Sequence, residues 1–250
     1  MRVLKTRVPR VPGVRTVPGV PMGWCLGCLA CLVLLVCAGP ARAQDAPALR
    51  AHRLMLDGGV VWSGGYAIGG ATAHLRSNAA GSPPPPYTLF SVSSDVSSAS
   101  SVALRVGFAL TPRLAIEGGG SFGRPRLDSA ISSDVEVGAQ RIEGGQLQQY
   151  VFDAAVVWHL PVRLGARARP FVTGGVGYLR QLHEGRTMVE VGQIYSGGVG
   201  ARLWFRGGTG STRSLGLRTD LSANLRRGGI DFANKVRLFP TLAVHLFLGL

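Results

Sequence analysis

Three absences narrow the reading before any motif is considered. The 250-residue chain has four cysteines, Cys25, Cys28, Cys31 and Cys37, so everything beyond residue 43 lacks a thiol for a disulfide or a metal. Lysine is scarce, and Lys235 is the one lysine among the 21 basic residues that follow residue 43. Long apolar runs are also missing apart from Trp24 to Ala38. That excludes a multi-span helical transporter, although 46% of the residues are hydrophobic and mean hydropathy is +0.23. No GxxxxGK(S/T), HExxH or GxSxG pattern occurs. What fills the chain instead is glycine, 36 residues of it, interleaved with serine, arginine and aliphatic side chains.

The first 43 residues read as an address label. Arg2, Lys5, Arg7, Arg10 and Arg15 come with no acid, the apolar run follows, and Gly39, Pro40, Ala41, Arg42 and Ala43 end it. This is the order of a secretory signal peptide, too short in its apolar part for a comfortable membrane anchor. Cleavage is expected after Ala43, which divides the chain into a signal peptide, 1–43, and a barrel domain, 44–250. Met22 is an alternative start, but it would leave almost no positive charge before the apolar run. The CxxCxxC spacing lies in the discarded piece. Lipidation at Cys37 would want small residues before it, where Leu35 and Val36 stand. The remaining 21 basic and 13 acidic residues give a net charge of +8. The arginines are scattered singly, which is not a nucleic-acid footprint.

Alternation of period two recurs eight times and marks strands with two differently solvated faces. Leu54, Leu56, Val60 and Trp62 oppose Arg53, Met55, Asp57 and Gly59. Val102, Leu104, Val106, Phe108 and Leu110 oppose Ala103, Arg105, Gly107 and Ala109. Leu114, Ile116 and Phe122 oppose Ala115, Glu117, Gly119 and Ser121, and Tyr150 to Leu160 sets Phe152, Ala154, Val156 and Trp158 against Asp153, Ala155 and His159. In Phe171 to Arg180 the apolar face is best read as Val172, Val176 and Tyr178. Tyr195 to Arg206, Leu215 to Arg226 and Val236 to Leu250 repeat the pattern, the last two placing Arg218, Asp220, Arg226, Arg237 and His245 together on the polar side.

A soluble barrel would turn the large apolar face inward. Here the other face mixes glycine, alanine and serine with both charge signs, which suits a narrow lumen, while the apolar face ends in Trp62, Tyr150, Trp158, Tyr178 and Phe205 as an aromatic girdle would. Strand lengths match the ~9 to 11 residues of a tilted membrane crossing. A long gap, Ser63 to Ser101 with Pro83 to Pro86 and a serine-rich tract, precedes a tight turn at Thr111, Pro112 and Arg113, and a second long gap runs from Arg124 to Gln149. The long gaps are expected to be surface loops. Later gaps, around Gly185, Gly207 and Gly228, are of similar length to one another.

On these strands, on the segments PFVTGGVGY (170–178) and GGVGARLWF (197–205), and on an alternating strand that ends at the last residue, the chain resembles the small eight-stranded outer-membrane β-barrels of the porin-family, OmpA/OmpX/OmpW-like group. The resemblance implies an all-β, up-and-down antiparallel transmembrane barrel, monomeric, exported and folded into the outer membrane by the barrel-insertion machinery, with lipid and lipopolysaccharide as surroundings. It also implies an aromatic final residue, where this chain has Leu250.

The candidate site is a lumen network of Arg53, Asp57, Arg105, Glu117, Asp153, Arg202, Arg218, Asp220, Arg237 and His245. Gly118, Gly120 and Gly123 spell GxGxxG, but Arg124 and Pro125 follow with no helical pattern, so they read as strand glycines that admit bulky lumen side chains. His159 and His245 read as hydrogen-bonded lumen histidines, because no hydrolytic partner stands at a motif-like spacing. No catalytic residue, cofactor or metal is expected. Three functions follow: a structural or surface-interaction barrel acting through its outer loops, a narrow channel for small or apolar solutes, and a lipid-modifying barrel enzyme.

Overall fold

The computed structural model describes residues 51–75, 87–134, 138–162, 164, 167–183, 188–206, 213–231 and 235–250. The signal peptide and its boundary, Pro83 to Pro86, Gly185 and Gly207 lie outside the described residues. Among the described residues twelve strands run in chain order: β1 (Arg53–Ser63), β2 (Tyr66–Leu75), β3 (Tyr87–Val96), β4 (Ala99–Ala109), β5 (Leu114–Gly123), β6 (Arg126–Ser132), β7 (Gln140–Gln146), β8 (Gln148–His159), β9 (Ala168–Leu182), β10 (Val189–Arg206), β11 (Ser214–Gly228) and β12 (Arg237–Gly249).

Eight of them close into an antiparallel barrel in the order β1-β12-β11-β10-β9-β8-β5-β4. Each barrel strand pairs with its predecessor and successor along the chain, and β12 pairs with β1 from Met55 opposite Gly249 to Ser63 opposite Thr241. The topology is therefore up-and-down, with both barrel termini at one end. The β4–β5 turn at that end is tight because the Thr111 hydroxyl accepts the N–H groups of Arg113 (3.2 Å) and Leu114 (2.9 Å), with Pro112 fixing the backbone between them.

The alternation decides inside from outside as read from the sequence. Val102 and Leu238 are 69% and 66% exposed, whereas Arg202 and Arg218 are 0% and 1% exposed. Leu54, Leu104, Ile116, Phe152, Val176, Val199 and Leu246 complete an outward apolar band, a surface that water would not tolerate at this extent. Eleven residues at ~3.3 Å rise and ~45° tilt cover about 25 Å, a hydrocarbon thickness, and closure pairs the backbone of every strand. The barrel is transmembrane, and a soluble barrel with an apolar core is excluded. The resemblance to small eight-stranded barrels holds at the level of the fold.

The two long gaps are not plain loops. They carry the hairpins β2–β3 and β6–β7, which join laterally through β3 and β6 into a second sheet of order β2-β3-β6-β7. The barrel order β1-β4-β5-β8 is thus continued beyond the membrane by a four-stranded extension. Its strands escaped the sequence reading because only one face rests on anything. Ile68, Val96 and Leu147 pack with Ile230 and with Tyr66 and Leu127, while polar residues such as Ser91, Ser93 and Asp95 occupy much of β3. The break between barrel and extension falls at Gly64 and Gly65. Pro240 on β12 has no N–H to offer β1 there, and a Cβ on Gly64 would stand 2.9 Å from the proline ring.

Candidate functional site: a sealed lumen

From the end that carries the termini, the lumen is filled in layers. The floor is apolar: Met55, Ala109, Ala115, Val157 and Phe171 form one buried cluster, and Trp204 meets Phe247 edge-on with ring centroids 5.6 Å apart. Glycines make room for these rings. A Cβ on Gly200 would collide with Phe171, and one on Gly216 would stand 2.5 Å from Phe247.

Above the floor lies a buried charge layer. Glu117 reaches Arg202 Nη2 with one oxygen and Arg218 Nη1 with the other, both at 2.6 Å. Arg218 also donates to Asp57 (2.8 Å) and forks onto Asp220 with two 2.9 Å bonds. Arg105 pairs with Asp153 and lies 3.6 Å from Glu117, and Arg202 lies 3.6 Å from Asp57. The floor and the charges are coupled, since the Arg202 guanidinium sits 5.5 Å from the Phe247 ring centroid and that of Arg218 4.9 Å from Phe171. An eight-stranded barrel has an interior about as wide as its side chains, so these layers block it.

Over the charges sits a cavity of about 120 Å³, lined by Ser121, Thr173, Ser196, Ser222, Asn224 and Thr241 among others, room for about four waters. A polar latch lies beyond it and touches two of its lining residues, Gln149 and Phe239. Arg226 donates to the Tyr66 hydroxyl and to the Ile230 carbonyl, and its guanidinium lies 4.8 Å from the Tyr66 ring centroid. Gln181 bonds Gln149 at 2.9 Å and the Tyr66 hydroxyl at 3.4 Å, and accepts the Ile230 N–H at 3.2 Å. Ion pairs thus join seven of the ten candidate residues: Asp57, Arg105, Glu117, Asp153, Arg202, Arg218 and Asp220. His245 lies in register with Arg218 across β11 and β12. Arg53 opens β1 at the terminus end, and Arg237, at the opposite end of β12, is bound by Asp231 at 2.6 Å.

His159 is not hydrogen-bonded through its ring as expected, since neither ring nitrogen has a partner among the described residues, and at His245 Nδ1 has none. His159 belongs to the apolar floor, its ring 5.6 Å from Phe171. Of the glycine run, Gly118 and Gly120 lie on the outward face, and it is Gly119 between them that admits a lumen side chain, because a Cβ there would stand 2.7 Å from Arg105 Cγ. The latch was missed, since Tyr66 lies in a segment expected to be loop. Its signal was the lone aromatic directly after Gly64 and Gly65.

No protein-family model matches this sequence, and no curated protein matches it. Among solved structures it is similar to the outer membrane protein OprG from Pseudomonas aeruginosa, at 10% identity and a TM-score of 0.48 over 82% of this chain and 98% of that one. It is also similar to the outer membrane protease OmpT from Escherichia coli, at 7% identity and a TM-score of 0.33 over 78% and 96%. At these scores neither neighbour adds to what the closed ring and its apolar outer band establish.

Proposed function

We propose that the protein is a closed, non-enzymatic outer-membrane barrel whose work is done by the four-stranded extension it holds outside the cell. In this reading the signal peptide is removed after Ala43, the insertion machinery folds the chain as a monomer, and both barrel termini face the periplasm. The observation that carries it is the buried layer around Glu117, Arg202 and Arg218, stacked on an aromatic floor, which fills this level of the lumen with side chains. A sealed barrel is a rigid stalk. Its extension, anchored to the rim by Tyr66, Leu147 and Ile230, presents a polar sheet suited to contact with a surface or a protein.

A narrow channel is the second reading, favoured by the polar cavity above the charges. Planar-bilayer recording separates the two. The stalk reading expects no steady conductance from the purified chain, and reproducible unitary openings would replace it with the channel. Unaltered lipid A on deletion and on overexpression is expected, and a changed acylation pattern would instead favour a barrel enzyme.

A further inference from the structure

We propose that the outer wall of the barrel binds a phosphate-bearing membrane lipid, with Arg124 and Arg180 at its phosphate and an acyl chain in the groove between Phe152, Tyr178 and Tyr195. This deepens the membrane reading above and rests on it. The register places the parts side by side: Phe122 pairs with Tyr150, and Tyr150 with Arg180, in one outward row across β5, β8 and β9. The Phe122 and Tyr150 rings lie 4.9 Å apart, and the Arg124 guanidinium stands 5.5 Å from the Phe122 ring centroid. Two arginines therefore flank an aromatic pair where β5 and β8 meet the extension, the aromatic and basic chemistry of a headgroup interface, and beside them on β10 the exposed apolar face runs on through Val191 and Val189.

Neither arginine has a carboxylate partner among the described residues. One strand separates β5 from β9 and Arg124 lies two residues beyond the row of Arg180, so their bases are about 12 Å apart, and two extended guanidinium stems can bracket one phosphorylated headgroup. Phosphate suits them because guanidinium offers it paired, charge-assisted hydrogen bonds. Directly below Arg180 on the same face, Phe152, Tyr178 and Tyr195 wall an outward groove of about 600 Å³ floored by Ala154 and Val176. Their exposures of 57%, 47% and 47% leave the walls free for a hydrocarbon chain.

The test is native mass spectrometry of the detergent-solubilised barrel with added diphosphorylated lipid A. The unsubstituted chain is expected to retain a lipid adduct. Arg124→Ala/Arg180→Ala should lower its occupancy at least tenfold, as should a dephosphorylated glycolipid with the same acyl chains, whereas Arg141→Ala on the extension should keep it. An undiminished adduct in the double variant, or equal binding of the dephosphorylated lipid, overturns the site. Inorganic phosphate competing as well as the lipid would also overturn it, by showing that an anion alone is recognised. A heat-dependent gel shift in the same samples confirms that each variant is a folded barrel. Fractionation of cells is read separately: recovery of the unsubstituted chain away from the outer membrane defeats the location reading, not the binding result.

Discussion

Replacing Glu117 with alanine should be the most damaging removal of a single carboxylate from this barrel. Glu117 supplies both 2.6 Å bonds that hold Arg202 and Arg218, and it lies 3.6 Å from Arg105. Without it Arg202, fully buried, keeps Asp57 at 3.6 Å as its nearest carboxylate, while Arg218 retains Asp57 and Asp220. Breaking a buried pair from one side costs about 3–5 kcal/mol, because the orphaned charge stays out of water. With a urea dependence of about 2 kcal/mol/M, that cost lowers the unfolding midpoint by about 2 M. Asp153 provides the comparison: its partner Arg105 and it are each about a fifth exposed, so Asp153→Ala should cost nearer ~1 kcal/mol and ~0.5 M. The assay is urea unfolding in lipid vesicles followed by heat-modifiable gel mobility, with Glu117→Gln falling between the two. Equal midpoints for Glu117→Ala and Asp153→Ala, or the reverse order, would refute the charge layer as the structural centre of the lumen.

The floor and the latch give further tests. Gly216→Ala should press the added Cβ on both the Leu203 carbonyl of the neighbouring strand and the Phe247 ring, costing at least about 1–3 kcal/mol by overpacking and moving Phe247 against Trp204, read as a shift of Trp204 emission in a background with Trp62 and Trp158 changed to phenylalanine. An unshifted emission would show that the ring is not held where Gly216 makes room for it. Tyr66→Phe removes the acceptor for Arg226 and Gln181, a loss of about 1.5 kcal/mol confined to the extension, so limited proteolysis should cut the β2–β3 hairpin faster while the barrel midpoint barely moves. Unchanged cleavage would mean that Tyr66 does not tie the extension down.

How much of this was legible in the sequence follows from which groups have two contrasting environments. Barrel strands alternate between lipid and a packed lumen, so residues such as Leu104 beside Arg105, or Leu217 beside Arg218, announce both the strand and its faces. The extension was illegible for the opposite reason. One side of β3 meets Ile68 and Leu127 and the other meets solvent, and its serines carry no apolar stripe to reveal it. Within the site, the charged residues were visible as types, but which arginine meets which acid depends on shear between strands far apart in sequence. Arg237 shared the polar face of β12 with His245 yet stands at the other end of that strand, where Asp231 from the preceding connection takes it. The His159 ring was misjudged because alternation reports a face and not the depth along it, and His159 lies deep enough to join the apolar floor.

The most direct test of the central claim, a closed membrane barrel with charges inside and aliphatic residues outside, is gel mobility of the outer-membrane fraction with and without boiling, using cells that express the full-length chain. Recovery in that fraction and a compact band that shifts only on heating are expected of a ring whose backbone bonds are all satisfied internally. Recovery as a soluble periplasmic protein with one mobility in both lanes would contradict it and turn the barrel inside out.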